Sequence, residues 1–288
     1  MSKIFIIKTL ADLSNQKEDW RKKEQNIALV PTMGNLHQGH MELFKTASNH
    51  SDKVICSIFV NPTQFEKYED VDSYPRTIEE DRKKIEDQGL VDFIFLPTED
   101  LIYPYGLKAA TKIILPELSN DLCGAVRPNH FSGVASVILR LINLIKPELM
   151  ILGDKDLQQK ILISQMLQDM HYNQPKIISN RVVREEDGLA MSSRNLYLTT
   201  KERDIAPSLY KTLLGISESL LDGDIDFNAL TLKAIKNLSE LGFKVDYLTI
   251  RNEFNLNLPS DRDKNLVVMG AAYLGKTRLI DNIPVYVC

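Results

Sequence analysis

Pro31-Thr32-Met33-Gly34-Asn35-Leu36-His37-Gln38-Gly39-His40 follows the apolar run Ile27-Ala28-Leu29-Val30 and precedes Met41-Glu42-Leu43-Phe44-Lys45-Thr46-Ala47. The upstream run has the length and composition of a buried strand. Downstream, the Leu, Phe and Ala positions form one helical face. The whole therefore reads as strand, glycine-bearing loop and helix. In an open parallel sheet, ligands bind beyond the carboxyl ends of the strands, where this loop falls. Gly34 allows a sharp backbone turn and a close approach to a ligand. Gly39 removes a side chain at the helix start, whose first amides suit phosphate oxygens. His37 and His40, three residues apart on a first helical turn, face the same way.

Two other readings exist for the histidine pair: solvated loop residues, or half of a metal site. A metal needs further ligands, and neither a nearby cysteine nor an H-E-x-x-H pattern supplies them. Two histidines on a glycine-flanked strand-to-helix turn favour a phosphate site.

At 288 residues the chain holds one large domain or two smaller ones. Its 43% hydrophobic and 26% charged residues are ordinary globular composition. A formal charge of −4 and a pI near 5.8 argue against a nucleic-acid partner. The three cysteines, Cys56, Cys123 and Cys288, are scattered, which suits a reducing cytosol. No run reaches membrane-spanning length, and the short apolar N-terminus, read as the first strand, is no signal peptide. The expectation is a cytoplasmic protein with no membrane partner.

Strand-like runs alternate with helical patterns: Lys53–Val60, a helix over 77–89, Asp92–Pro97, a buried helix over 134–145, Leu149–Gly153 and a helix over 157–170. This alternation predicts an α/β fold, a Rossmann-like doubly wound parallel sheet with helices on both faces. The pattern changes near 178–184. Two helices over 201–221 and 227–241 follow, then strands over 244–250, 265–269, 277–281 and 285–288, which predict a smaller C-terminal α+β domain. The expected division is 1–179 for a Rossmann-like nucleotide-binding domain and 180–288 for a lid.

Further motifs fall at predicted strand ends. Asn61-Pro62 makes a turn after the second long strand, and Gln64 stands at its rim, able to hold a hydroxyl or carboxylate without charge. Arg127-Pro128-Asn129-His130 precedes the buried helix; as isolated residues these are structural caps or anion contacts. Gly153-Asp154-Lys155-Asp156 repeats the strand-to-helix geometry of the first motif and adds a compact cation. Met191-Ser192-Ser193-Arg194 supplies hydroxyls and a planar cation.

These stretches, P-T-M-G-x-L-H-x-G-H, S-I-F-V-N-P-x-Q-F, Y-P-R-T, R-P-x-H-F-x-G-V, G-D-K-D-x-Q-Q and D-G-L-A-x-S-S-R-N, occur together and in order. The chain resembles the pantothenate synthetase (pantoate–β-alanine ligase) family of the H-x-G-H nucleotidyltransferases over nearly its whole length. It departs at Asp154, where the family has glutamate. The resemblance implies condensation of (R)-pantoate with β-alanine, through a pantoyl-adenylate, to pantothenate, AMP and pyrophosphate. ATP is then a substrate, and magnesium rides on its phosphates with no direct ligand claimed in the chain.

By resemblance, His40, His37 and Lys155 are catalytic, His40 being the family's proton donor. ATP contacts fall on Met33, Gly34, Asn35, Leu36, His37, Gln38, Gly39, His40, Gly153, Asp154, Lys155, Asp156, Val183, Met191, Ser192, Ser193 and Arg194. Gln64 and Gln159 hold pantoate, and Asn61 and Arg127 join the pantoate and β-alanine contacts. Acidic residues at 79–81 influence magnesium through water, and family members form homodimers.

Gly270-Ala271-Ala272-Tyr273-Leu274-Gly275-Lys276-Thr277 satisfies the P-loop pattern literally. The alternating Arg278–Ile283 and Pro284 leave no room for the helix a P-loop needs, so a terminal hairpin is expected instead. A nucleotidyltransferase of another substrate, a P-loop kinase and a nucleotide sensor are the rival readings.

Overall fold

The computed structural model describes residues 4–66, 71, 74–260 and 262–287. Met1–Lys3 and Cys288, which enter the terminal strand readings, lie outside them. The chain divides into two compact units, residues 1–180 and 181–288.

In the first unit the elements run β1 (Phe5–Ile7), α1 (Leu10–Lys22), β2 (Ile27–Thr32), α2 (Gln38–His50), β3 (Lys53–Ile58), α3 (Ile78–Gln88) and β4 (Phe93–Phe95). Three single-turn helices, α4 (Glu99–Ile102), α5 (Gly106–Ala109) and α6 (Cys123–Val126), lead to α7 (His130–Ile145), β5 (Leu149–Gly153), α8 (Leu157–Asp169) and β6 (Lys176–Asn180). The strands form one parallel sheet in the order β1-β4-β3-β2-β5-β6. The chain moves outward from β2 through β3 and then returns to lay β5 on the other side of β2. Ala28 and Leu29 pair with Leu149 and Met150 there. Such a reversal of strand order opens a crevice at the carboxyl ends of the two strands.

Period-two alternation supplies both faces of the sheet. Ile27, Leu29, Ile55, Phe95 and Met150 join α1, α7 and α8 in one apolar core. Ala28, Val30, Val54, Cys56, Ile94 and Ile151 join Met41, Phe44 and Ala47 of α2 and Ile85 of α3 in another. Burial pushes the Cys56 thiol up, so it packs as an apolar group. Helix α3 stops at Gly89, whose φ of +67° provides the left-handed cap.

The second unit contains α9 (Thr200–Ile205), α10 (Ser208–Leu221), α11 (Phe227–Glu240), β7 (Phe243–Asn252), β8 (Asn265–Leu274) and β9 (Thr277–Tyr286), with the three strands antiparallel in chain order. Two expectations change. The helix expected over 201–221 is two, because Pro207 cannot donate to the turn before it. The two strands expected over 277–288 are one, because β9 is an edge strand and tolerates Pro284 within its ladder. Residues 274–277 form the two-residue Gly275-Lys276 hairpin turn, and Thr277 opens a strand. The P-loop pattern there is a sequence coincidence.

Arg184 pins the start of this unit to β9. Its guanidinium donates to both carboxylate oxygens of Asp281 at 2.6 and 2.9 Å and lies 3.9 Å over the Tyr210 ring. Asp281 is 4% exposed. Arg184→Ala leaves a buried carboxylate without its cation and is expected to cost about 3–5 kcal/mol, measured as a lower urea midpoint.

Candidate active site

The loop after β2 builds the first half of the site. Thr32, the last residue of β2, donates through Oγ1 to the Ser57 carbonyl at 2.9 Å and accepts the Gly34 amide at 3.2 Å. Gly34 and Asn35 then both have positive φ, +82° and +50°. His37 is the N-cap of α2, and here the structure alters the expectation of open helix amides. His37 Nδ1 accepts the Gly39 N–H at 3.1 Å, and His40 Nδ1 accepts the His37 N–H at 3.2 Å. The His40 amide donates to the His37 carbonyl at 2.8 Å. The two imidazoles thus cap their own helix in a reciprocal arrangement like a capping box.

That arrangement assigns the tautomer. A ring nitrogen that accepts an N–H carries no proton, so each neutral imidazole holds its proton on Nε2. The rings lie 4.1 Å apart between centroids. Burial, reinforced by the cations Lys155 and Lys84, pushes His37 down to about 4. Burial, His37 and the same two lysines hold His40 well below the usual imidazole range. Two neutral Nε2–H donors result.

The loop after β5 builds the other half. Gly153 ends the strand, and Asp154–Asp156 form a single 3-10 turn before α8. Asp154, the shortened position, pairs with Lys160, which also reaches Ser179 Oγ at 3.2 Å. Gln159 is half-buried on the first turns of α8. Its neighbour Gln158 is 3% exposed and holds the backbone of 118–123 through three hydrogen bonds, a purely structural task.

The turn after β3 carries Gln64. Asn61 is 1% exposed, and every polar atom of its amide is engaged. Its Nδ2 donates to Gln64 Oε1 and the Gly133 carbonyl, both at 3.1 Å. Its Oδ1 accepts from Tyr103 at 2.7 Å and from Thr63 Oγ1 at 2.9 Å. Through these bonds Asn61, expected among the substrate contacts, also orients Gln64. Gln64 Nε2 faces Met33 Sδ at 3.0 Å, which joins the β3 turn to the histidine loop. Arg127 and His130 converge on the Gln64 carbonyl at 3.4 and 2.9 Å.

Helix α7 passes this turn so closely that a Cβ on Gly133 would lie 2.2 Å from the Thr63 carbonyl. Tyr103 and Lys84 were not anticipated as site residues, Gly133 stood only as a letter of the R-P-x-H-F-x-G-V motif, and Asp81 was expected only to influence magnesium through water. Their spacing to the motifs carries no periodic signal, because the contacts are made across the sheet.

In the second unit Met191 N–H donates to the Val183 carbonyl at 3.0 Å, and Arg184 bridges Ala190. These bonds close a hairpin that delivers Ser192 as the cap of a 3-10 turn, its Oγ accepting the Arg194 amide at 3.3 Å. Arg203 ties the hairpin by Glu185, at 2.6 Å, and Asp187. Ser193 and Arg194 lie on that 3-10 turn.

A reversal-point crevice edged by a histidine-capped helix start and a strand-end lysine defines a phosphate-handling enzyme of the Rossmann-like α/β class. Residues 5–284 match the family described as pantoate-beta-alanine ligase, and the chain belongs to that family. The pantothenate synthetase of Aeromonas hydrophila is 46% identical over 279 residues, spanning 97% of both chains. A solved pantothenate synthetase from Thermus thermophilus is 36% identical, with a TM-score of 0.90 over 98% of this chain and all of that one. The Francisella tularensis pantoate-beta-alanine ligase, solved with a β,γ-ATP compound and β-alanine, is 36% identical with a TM-score of 0.80, covering 97% of each chain.

Because the imidazoles are held neutral, turnover is expected to show no titration near pH 6.5 on its acid side. The acid limb should fall near pH 4, read from a pH profile of the rate with saturating substrates. Gly133→Ala is expected to destabilise the unit by about 1–3 kcal/mol through overpacking and to raise the KM for the hydroxy acid. Urea denaturation and initial rates check it.

Proposed function

We propose that catalysis proceeds in two steps. The carboxylate of (R)-pantoate attacks the α-phosphorus of ATP; a P–O bond forms, the bond to the bridging oxygen breaks, and pantoyl-adenylate and pyrophosphate result. The amine of β-alanine then attacks the acyl carbon of this mixed anhydride. The bond to phosphate oxygen breaks, AMP leaves, and the nitrogen loses a proton. No covalent intermediate on the protein is needed; positioning and charge neutralisation suffice.

The observation that carries this reading is the pair of Nε2–H donors with Lys155 beside them in charge range. In the proposal they stabilise the charge growing on the α-phosphate and the leaving pyrophosphate. Preorganised donors of this kind act without reorganisation at the moment of reaction. The donor on His40 is then a neutral imidazole N–H and not an imidazolium acid.

Met33–Leu36, Gln38, Gly39, Gly153, Asp154 and Asp156 frame the nucleotide, and Gln64 and Gln159 hold pantoate. Asn61 and Arg127 join the pantoate and β-alanine contacts, and with His130 they set Gln64. From the second unit, proposed as the lid, Val183, Met191, Ser192, Ser193 and Arg194 contact ATP.

Among the described residues no group of three or more His, Cys, Asp or Glu side chains is arranged to hold a metal ion. Magnesium is assigned to the triphosphate of the substrate by its charge, and no step is routed through a protein-held metal. No helix among the described residues is long and apolar enough to cross a membrane. A cytoplasmic homodimer completes the proposal, and sedimentation tests its assembly.

The decisive assay follows pyrophosphate from ATP with and without pantoate, then AMP on adding β-alanine. Pyrophosphate independent of pantoate refutes the sequence of steps. His40→Ala is expected to slow pantoate-dependent pyrophosphate release by about 100-fold or more; unchanged release rejects the role of His40.

A further inference from the structure

We propose that Asp81 and Lys84, on one turn of α3, are positioning residues that clamp the Gly34–Leu36 turn and thereby aim both imidazoles. The inference deepens the proposed reaction and rests on it for its activity readout.

Successive positive φ angles at Gly34 and Asn35 turn the amides of Asn35 and Leu36 to one side. Backbone concavities of this kind receive anions. The anion here is the protein's own. Asp81 is 0% exposed, and its Oδ2 accepts Asn35 N–H at 2.8 Å while its Oδ1 accepts Leu36 N–H at 2.7 Å. Thr77 Oγ1 donates to Oδ2 at 3.1 Å, and the Asp81 amide donates to the Thr77 carbonyl at 2.8 Å.

One helical turn further on, Lys84 Nζ donates to the Leu36 carbonyl at 2.8 Å. The N–H and C=O of Leu36 are therefore held by side chains three residues apart on a single helix, which places them on one face. A Cβ on Gly34 would meet Asp81 Oδ2 at 3.1 Å, a tight contact that adds to the strain a φ of +82° imposes on any other residue. His37 follows Leu36 directly, and its amide is the one that holds His40 Nδ1. Any shift of the turn thus passes to both rings. Glu79 and Glu80, the other acids of this turn, are exposed and make no such contact.

The test uses Asp81→Asn and Lys84→Met in the full chain. Asparagine keeps the shape but turns an NH2 toward one of the two amides. Two readouts are taken: pantoate-dependent ATP–pyrophosphate exchange, and long-range 1H–15N spectra of histidine-labelled protein, which report the ring nitrogens directly.

For Asp81→Asn the exchange kcat is expected to fall about 100-fold, the scale of a small misplacement, with KM for ATP little changed. The Nδ1 resonances of His37 and His40 are expected to leave the positions of the wild type. Lys84→Met is expected to move the same resonances and to lower kcat several-fold. A loss of stability alone lowers the folded fraction but leaves the spectrum of the folded protein unaltered. Wild-type spectra and kcat in the folded variants overturn the proposal. Where Asp81→Asn does not fold, Lys84→Met decides by the same criteria. Absence of pantoate-dependent exchange in the wild type refutes the proposed reaction, while the spectra still decide the clamp.

Discussion

Two backbone amides sit on the Nδ1 atoms of His37 and His40, and the chemistry of the site depends on that occupancy. An imidazole that accepts at Nδ1 resists protonation, and burial beside two ammonium groups adds to the resistance. The proton that each ring retains is on Nε2. The same two bonds cap α2, so the start of the helix and the protonation state of the site are one structural feature. A helix that would ordinarily expose its first amides here presents side-chain donors in their place.

The sheet supplies the rigidity this arrangement needs. Strands β2 and β5 are neighbours only because the chain returns to the far side of β2 after β4, and both carboxyl ends then open at one edge. Apolar layers on both faces hold that edge in place. The third contributor, Gln64, is oriented by a chain of polar contacts from Tyr103 through Asn61, beneath a helix that only glycine at 133 allows so near. Gln64 and the histidine turn are thus each supported by a buried side chain, Asn61 and Asp81.

Much of this was legible in local pattern. The run Ile27–Val30 followed by glycine and a helical face marked the β2–α2 turn, and Leu149–Gly153 marked its counterpart. Family motifs at strand ends marked the candidate residues. Less was legible where a single residue has two possible meanings. Pro207 splits a helix whose apolar spacing continues through it. Pro284 leaves a strand unbroken because its edge position asks nothing of the missing N–H. Strand β6 escaped notice because it is partly exposed and weakly apolar.

The amino-acid sequence alone determined the α/β alternation, the change of pattern near residue 180, the failure of the P-loop match and the family. Those properties rest on period, composition and order, all local quantities. Tertiary structure decided which polar groups face one another: that Asp81 fills the turn at 34–36, that Lys84 joins it, and that Asn61 meets the Gly133 carbonyl and the Tyr103 hydroxyl. Those choices join residues separated by up to some 70 positions, and only the closing of the sheet brings them within hydrogen-bonding distance.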